Sequence, residues 1–149
     1  MPLDRNALAR LVPHRGAMCL LDSVAHWDDV RIDCRAVSHR DPDNPLRLGG
    51  RLPAVVAIEY AAQAMAVHGG LRALPDHVAA PGYLVAVRDA QLHTARLDDI
   101  TTDLEISATC LAADSTGLVY AFAVSASGHF VAEGRATVAL RATVFPSES

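Results

Sequence analysis

The chain of 149 residues contains no lysine; all 13 of its basic residues are arginine. A Schiff-base mechanism through a lysine amine is thereby excluded. Cysteine is scarce as well. Cys19, Cys34 and Cys110 are scattered without a CxxC spacing, which argues for buried thiols in a reducing compartment rather than a disulfide framework or a zinc site. Aromatics make up only 5%, whereas alanine occurs 27 times, so the core is built from small and branched side chains packed closely. No stretch approaches the roughly 18 uninterrupted apolar residues of a membrane-spanning helix. The opening MPLDRNALARLVPHRG carries charges throughout and lacks the apolar centre of a secretory signal; a soluble, cytoplasmic chain is expected. The net charge of −4 has the wrong sign for a general nucleic-acid binder. HExxH, GxSxG and a Gly-rich loop ending in Lys-Ser/Thr are all missing from the sequence, so neither a metal nor a cofactor is expected.

What is present fits one domain over residues 1–149. Apolar residues reach 51% and charged residues 20%, enough for a sizeable core and against a disordered chain. Leu3 to Leu11 reads as a short helix, with Asp4 or Asn6 as its cap and Pro13 as its stop. AMCLLDSVAHW at 17–27 reads as a strand, Asp28-Asp29 as a turn, and Val30 to Ser38 as a second strand with Ile32, Cys34 and Ala36 on one face. The following HRDPDNPLRLGGRLP is a long loop, of the kind that is often functional. From Pro53 to about Leu74 runs a helix that is apolar on nearly every side, the mark of a buried helix. Strands are expected at Tyr83 to His93, Thr102 to Ala113, Gly117 to Ala126 and Phe130 to Leu140, with tight turns at DSTG and SG. Two strands, one buried helix and four strands predict an α+β layer fold: a curved antiparallel sheet of about six strands around a long central helix, the outline of a hotdog fold.

Three motifs carry a family resemblance. LVPHRGAMCLLDSV at 11–24 resembles the LPHRxPFLLVDRV opening of the FabZ-type 3-hydroxyacyl-acyl-carrier-protein dehydratases. VVAIEYAAQAM at 55–65 resembles their central-helix motif LIxEAxAQ, and GYLVAVRDAQL at 82–92 resembles the strand that follows it. Within that family the chain is most similar to the ApeP-like branch associated with aryl polyene synthesis, where PHxGAMCLLD, SHRDPDNPLR and IEYAAQAMAVHGG occur together. The resemblance implies a hotdog dehydratase acting on an acyl carrier protein. Its active site would lie between two chains, in a homodimer or in a heterodimer with a FabZ-like partner. It places Glu59 on the family's acid and Gln63 on the glutamine slot. It also departs from the family at one point. The FabZ base is a His fourteen residues before the helix Glu, in a GHFPG loop; that position here is Pro45.

Dehydration needs a base at C2 of the acyl chain and an acid at the 3-hydroxyl. Glu59 has the surroundings of the acid, standing alone among Val55, Val56, Ala57, Ile58, Tyr60, Ala61 and Ala62. Gln63, one turn on, is placed to orient it. His14, on a loop before Gly16, is the candidate base, against a backbone-capping role that serves it equally well. It is expected about 4–7 Å from a Glu59 carboxylate in some chain pair. His39, heading the long loop, is the alternative base, with a solvated histidine as the plainer reading. His68 is expected to pack at the helix end, and His26, His77, His93 and His129 to lie at the surface. Gly49 and Gly50 would let a thioester approach the backbone, and the helix N-terminus would supply N–H donors to the enolate. Tyr83, at the start of the strand after the helix, completes the expected substrate-binding set of Gly49, Gly50, Gln63 and Tyr83. Asp98-Asp99 reads as a solvated turn. Arg40, Arg47, Arg51 and Arg88 form a possible basic patch for the acidic carrier protein. Two other roles fit the same residues: a non-autonomous partner of a FabZ-like dehydratase, and a hotdog thioester hydrolase.

Overall fold

A computed structural model of the chain describes residues 3–8, 19–73 and 82–140. The elements are α1 (Arg5–Leu8), β1 (Ser23–Trp27), β2 (Arg31–Ala36), α2 (Ala57–Ala73), β3 (Gly82–Leu92), β4 (Leu104–Ala113), β5 (Gly117–Ala126) and β6 (His129–Leu140). Short 3-10 turns at Ser38–Arg40 and Ala54–Val56 flank the long loop. All six strands form one antiparallel sheet in the order β1-β2-β4-β5-β6-β3. The chain therefore leaves one side of the sheet after β2, crosses its face through α2, and rejoins at the far edge as β3. Asp4 caps α1 through its carboxylate, which accepts the Ala7 N–H.

Strand alternation decides which side chains meet the helix. Ile32, Cys34 and Ala36 of β2, Leu104, Ile106 and Ala108 of β4, and Tyr120, Phe122 and Val124 of β5 are all buried. Against them lie Ala57, Tyr60, Ala61, Ala64, Met65, Val67 and Leu71 of α2. Alanine at three of these helix positions removes the side-chain bulk that would hold helix and sheet apart. The opposite stripe of the helix is less covered than its composition predicts. Val55, in the turn leading into the helix, is 54% exposed, Ala66 is exposed, and Ile58, Glu59 and Ala62 are half-buried. One chain thus buries one face of the apolar helix and leaves the other partly open.

The first strand is shorter than its apolar run suggests. Leu20 and Leu21 are fully buried, but the Leu20 N–H and carbonyl go to the side chains of Gln63 and Ser38, and regular pairing begins at Ser23. The turns follow their residues. Asp28 accepts the Val30 and Arg31 N–H groups, and Asp114 accepts those of Thr116 and Gly117. Ser127 and Gly128 both take positive φ in the β5–β6 hairpin. Among the described residues no helix is long and apolar enough to cross a membrane.

Two glycines in regular elements predict opposite outcomes. A Cβ at Gly117 would stand 2.5 Å from the Val138 backbone oxygen, whereas at Gly69 of α2 it would meet nothing within 4 Å. Gly117→Ala is expected to lower unfolding stability by about 2 kcal/mol. Gly69→Ala should raise it by roughly 0.5–1 kcal/mol by restricting the unfolded chain and improving helix propensity. Urea unfolding of both variants checks the signs.

Candidate active site

The start of α2 is held by the loop that follows β3. Leu52 N–H donates to Asp98 Oδ1 at 2.9 Å, Leu97 N–H returns a bond to the Leu52 carbonyl at 2.8 Å, and Ala54 N–H donates to Ala95 at 3.1 Å. Pro53, at φ −62°, caps the 3-10 turn that leads into the helix. Asp98 is not the solvated turn residue its sequence context predicts: its side chain is 6% exposed. The Arg96 guanidinium, which grips it at both carboxylate oxygens, and the Leu52 N–H hold its carboxyl well below the usual carboxylate range. The helix N-terminus is also less open than expected. The N–H groups of Ala54, Val56 and Ala57 are engaged by Ala95, Pro53 and Ala54.

Glu59 lies in the first turn of α2 on the half-covered stripe and is itself half-buried. Gln63, one turn on and buried, does not spend its carbonyl on Glu59; Oε1 accepts the Leu20 N–H at 2.8 Å. Tyr60, next to Glu59 and fully buried, has its hydroxyl 2.7 Å from Ser38 Oγ and 3.3 Å from Asn44 Nδ2. Ser38 Oγ in turn lies 2.7 Å from the Leu20 carbonyl. This cluster, which joins α2 to residues 19–22 and to the long loop, escapes sequence reading because its members are distant in sequence. Tyr60 in an otherwise apolar, alanine-rich run was the available signal.

His39 is a correction. It is fully buried, not solvated. The 3-10 turn at Ser38–Arg40 directs its ring at the 100–102 backbone, where Nε2 lies 3.1 Å from the Ile100 carbonyl and 2.9 Å from that of Thr102. Two carbonyl acceptors make Nε2 the protonated nitrogen, leaving Nδ1 as a buried lone pair without a partner. Burial lowers its pKa. Gly49 and Gly50, both at positive φ, form the exposed tip of a two-residue hairpin closed by Leu48 and Arg51. Turn geometry therefore explains the glycine pair. Arg47 folds inward to donate to the carbonyls of Asp41, Gly50 and His39, and Arg40 binds Asp103. The expected basic patch is thus reduced to Arg51 and Arg88. A cleft of about 540 Å³ opens beside the loop, lined by residues including Asp22, Ser38, Arg40 and Asn44; Glu59 is not among its described lining residues.

His68 packs at the far end of α2 as expected, fully buried. Its Nε2 donates to the Asp28 carbonyl at 2.8 Å, so Nδ1 accepts from the Tyr120 hydroxyl at 2.7 Å. Burial pushes Tyr120 up to about 12. His26 and His129 are exposed, and His93 pairs with Glu133 at 2.9 Å across β3 and β6. Tyr83 lies at the start of β3, but its side chain is outside the described residues, as are His14 and His77.

A six-stranded antiparallel sheet with one long, largely apolar helix packed on it is the hotdog architecture. Residues 6–144 match the ApeP-like family, described as ApeP dehydratase, and the chain belongs to that family. The fold is similar to that of the dehydratase heterocomplex ApeI:P from Xenorhabdus doucetiae, with a TM-score of 0.81 and 25% identity over 91% of each chain. It is also similar to a thioesterase from Haemophilus influenzae (TM-score 0.68, 13% identity, 98% of this chain and 96% of that one). AziG of S. sahachiroi shares the fold at a TM-score of 0.64 and 18% identity, over 89% of this chain and 100% of that one. No curated protein sequence matches the chain.

The two histidines buried among the described residues, His39 and His68, predict an acid-sensitive fold. Both have pKa values below the ordinary 6.5, chiefly because burial disfavours the charged ring. Their contribution to stability is complete above pH 6.5, where folded and unfolded chains are both neutral there. As pH falls below 6.5 the unfolded chain takes up protons that the folded chain refuses, and stability declines until the folded pKa is passed. The melting temperature is expected to drop between pH 7 and pH 5. In a His68→Gln variant the drop should be shallower, because one of the two linked protons is removed.

Proposed function

We propose that the chain serves in the dehydration of a 3-hydroxyacyl thioester on an acyl carrier protein during aryl polyene synthesis in the cytoplasm, with Glu59 as the acid at the departing hydroxyl. The observation that carries this reading is the setting of Glu59. It is the sole acidic residue of α2, sits on a half-covered apolar stripe, and stands where the motif resemblance puts the acid of FabZ-type dehydratases. Closing the stripe with a second chain would exclude water from this carboxyl and set it against a bound substrate, where a general acid has to act. Covering it with a second chain also brings in residues that one chain lacks.

Within this chain the proposed base is His14, which lies six residues before Leu20, the residue that Gln63 holds one turn from Glu59. His39 is a poor alternative, since its protonated nitrogen is tied to two carbonyls and its other nitrogen is buried. Tyr83 and the Gly49-Gly50 tip are the proposed substrate contacts, Gln63 acts through Leu20, and the exposed Arg51 and Arg88 are offered to the acidic carrier protein. A second reading has its own support: Pro45 occupies the family's base position, and the similar Xenorhabdus structure is a heterocomplex. In that reading a FabZ-like partner supplies the base and this chain supplies Glu59.

Assay of a 3-hydroxyacyl carrier-protein substrate, with the chain alone and mixed with an ApeI-type partner, separates these readings. Glu59→Gln preserves volume but cannot deliver a proton. It is expected to reduce turnover by about 10²–10⁴-fold with little change in melting temperature. Near-wild-type turnover would remove Glu59 from the mechanism. Turnover by the chain alone would favour His14, turnover only in the mixture would favour the partner's base, and release of free thiol would reveal a hydrolase.

A further inference from the structure

We infer that Tyr60 is a positioning residue whose hydroxyl sets residues 19–22 and the 38–47 loop against the helix turn that bears Glu59. The direction of every proton in the cluster follows by elimination. The Leu20 carbonyl can only accept, so Ser38 Oγ donates to it. Having spent its one hydrogen, Ser38 Oγ accepts from the Tyr60 hydroxyl. Asn44 Nδ2 can only donate, so it donates to Tyr60 Oη and to the Ser38 carbonyl, while Asn44 Oδ1 accepts the Leu46 N–H. A single chain of bonds results, running Asn44 to Tyr60 to Ser38 to Leu20.

The same peptide is gripped from its other side, because the Leu20 N–H donates to Gln63. Tyr60 and Gln63 are three residues apart on one helix, so α2 holds Leu20 by its carbonyl, through Ser38, and by its N–H directly. Both Tyr60 and Gln63 are buried, and Asn44 is 6% exposed. Tyr60 is fully buried, so loss of its hydroxyl removes the link from α2 to both Ser38 and Asn44, and a water entering from the cleft that these two line would not be anchored to the helix. Tyr60 itself touches no reacting atom in this account; it acts through the segments it holds. The inference rests on the dehydratase reading only for its effect on turnover.

The test is Tyr60→Phe in the full chain, assayed with its ApeI-type partner, with amide hydrogen exchange read in parallel. Exchange is expected to quicken about tenfold or more in 19–22 and 38–47 and to stay unchanged over 64–71 of α2. Misplacement of the segments that the Glu59-bearing turn holds should lower kcat about tenfold with KM within about twofold. Ser38→Ala cuts the same chain from the loop side and serves if Tyr60→Phe fails to fold. It should reproduce both effects, Ser38→Thr should restore them, and the double variant should be no worse than the worse single. Unchanged exchange would overturn the inference, and so would faster exchange with unchanged kcat. A Glu59→Gln variant of wild-type turnover would instead defeat the dehydratase reading, leaving the exchange result to judge the clamp.

Discussion

The structure depends on burying an alanine-rich helix across the face of a single antiparallel sheet. Ala57, Ala61 and Ala64 are fully or almost fully covered by the sheet residues of β2, β4 and β5. Each contributes little apolar area by itself. Their value lies in letting the larger Tyr60, Met65, Val67 and Leu71 pack into one core with Ile106, Tyr120 and Phe122. Substituting bulk for these alanines would push helix and sheet apart, and the sheet could not follow without breaking its ladder. Element order enforces the arrangement as well: β3 can reach the far edge beside β6 only because α2 crosses from β2.

Close packing leaves few ways to place polar groups inside, and those present are used to tie down irregular chain. Gln63 holds Leu20, Tyr60 holds Ser38 and Asn44, His68 holds Asp28, and His39 holds Ile100 and Thr102. Each bond joins a buried side chain to a segment without ladder hydrogen bonds of its own there. Such bonds contribute modestly when made and cost more when broken, because the abandoned partner stays out of water. The irregular segments around the first turn of α2 are therefore fixed by the same helix that forms the core. That coupling links core packing to the placement of any group carried on those segments.

The fold was largely legible in the sequence, because period-two alternation at 31–36, 104–108 and 120–126 and the apolar run at 54–67, broken by Glu59 and Gln63, report directly on burial. The candidate site was legible only where one residue breaks a pattern, as Glu59 does. His39 was misread because its neighbours Arg40 and Asp41 suggest solvent, whereas its burial comes from carbonyls about sixty residues away. Asp98 was misread for a related reason: its partner Arg96 is local, but the Leu52 N–H that draws it inward is not. The helix misleads in the opposite sense. An all-apolar composition says that a surface is destined for cover, not whether the cover comes from the same chain, and the stripe through Val55, Ala62 and Ala66 is open in this one.

The loop that the motif resemblance sets against the GHFPG segment of FabZ-type dehydratases is held by its own side chains. Arg47 and Asn44 satisfy carbonyls and N–H groups on both sides of Pro45, and the Gly49-Gly50 hairpin turns the chain back before it reaches the helix. A loop knitted internally in this way has little freedom to swing, and Pro45, at the position that the motif resemblance gives to the base, offers no proton acceptor on its side chain. Rigidity here fits, on the proposed reading, a division of labour in which this chain presents an acid on a fixed helix and the proton-abstracting group arrives on another segment. On the proposed reading, the open stripe and the closed loop are two sides of one arrangement: the surface beside Glu59 is left available to a second chain, while the loop that would otherwise have carried the base has become part of the scaffold.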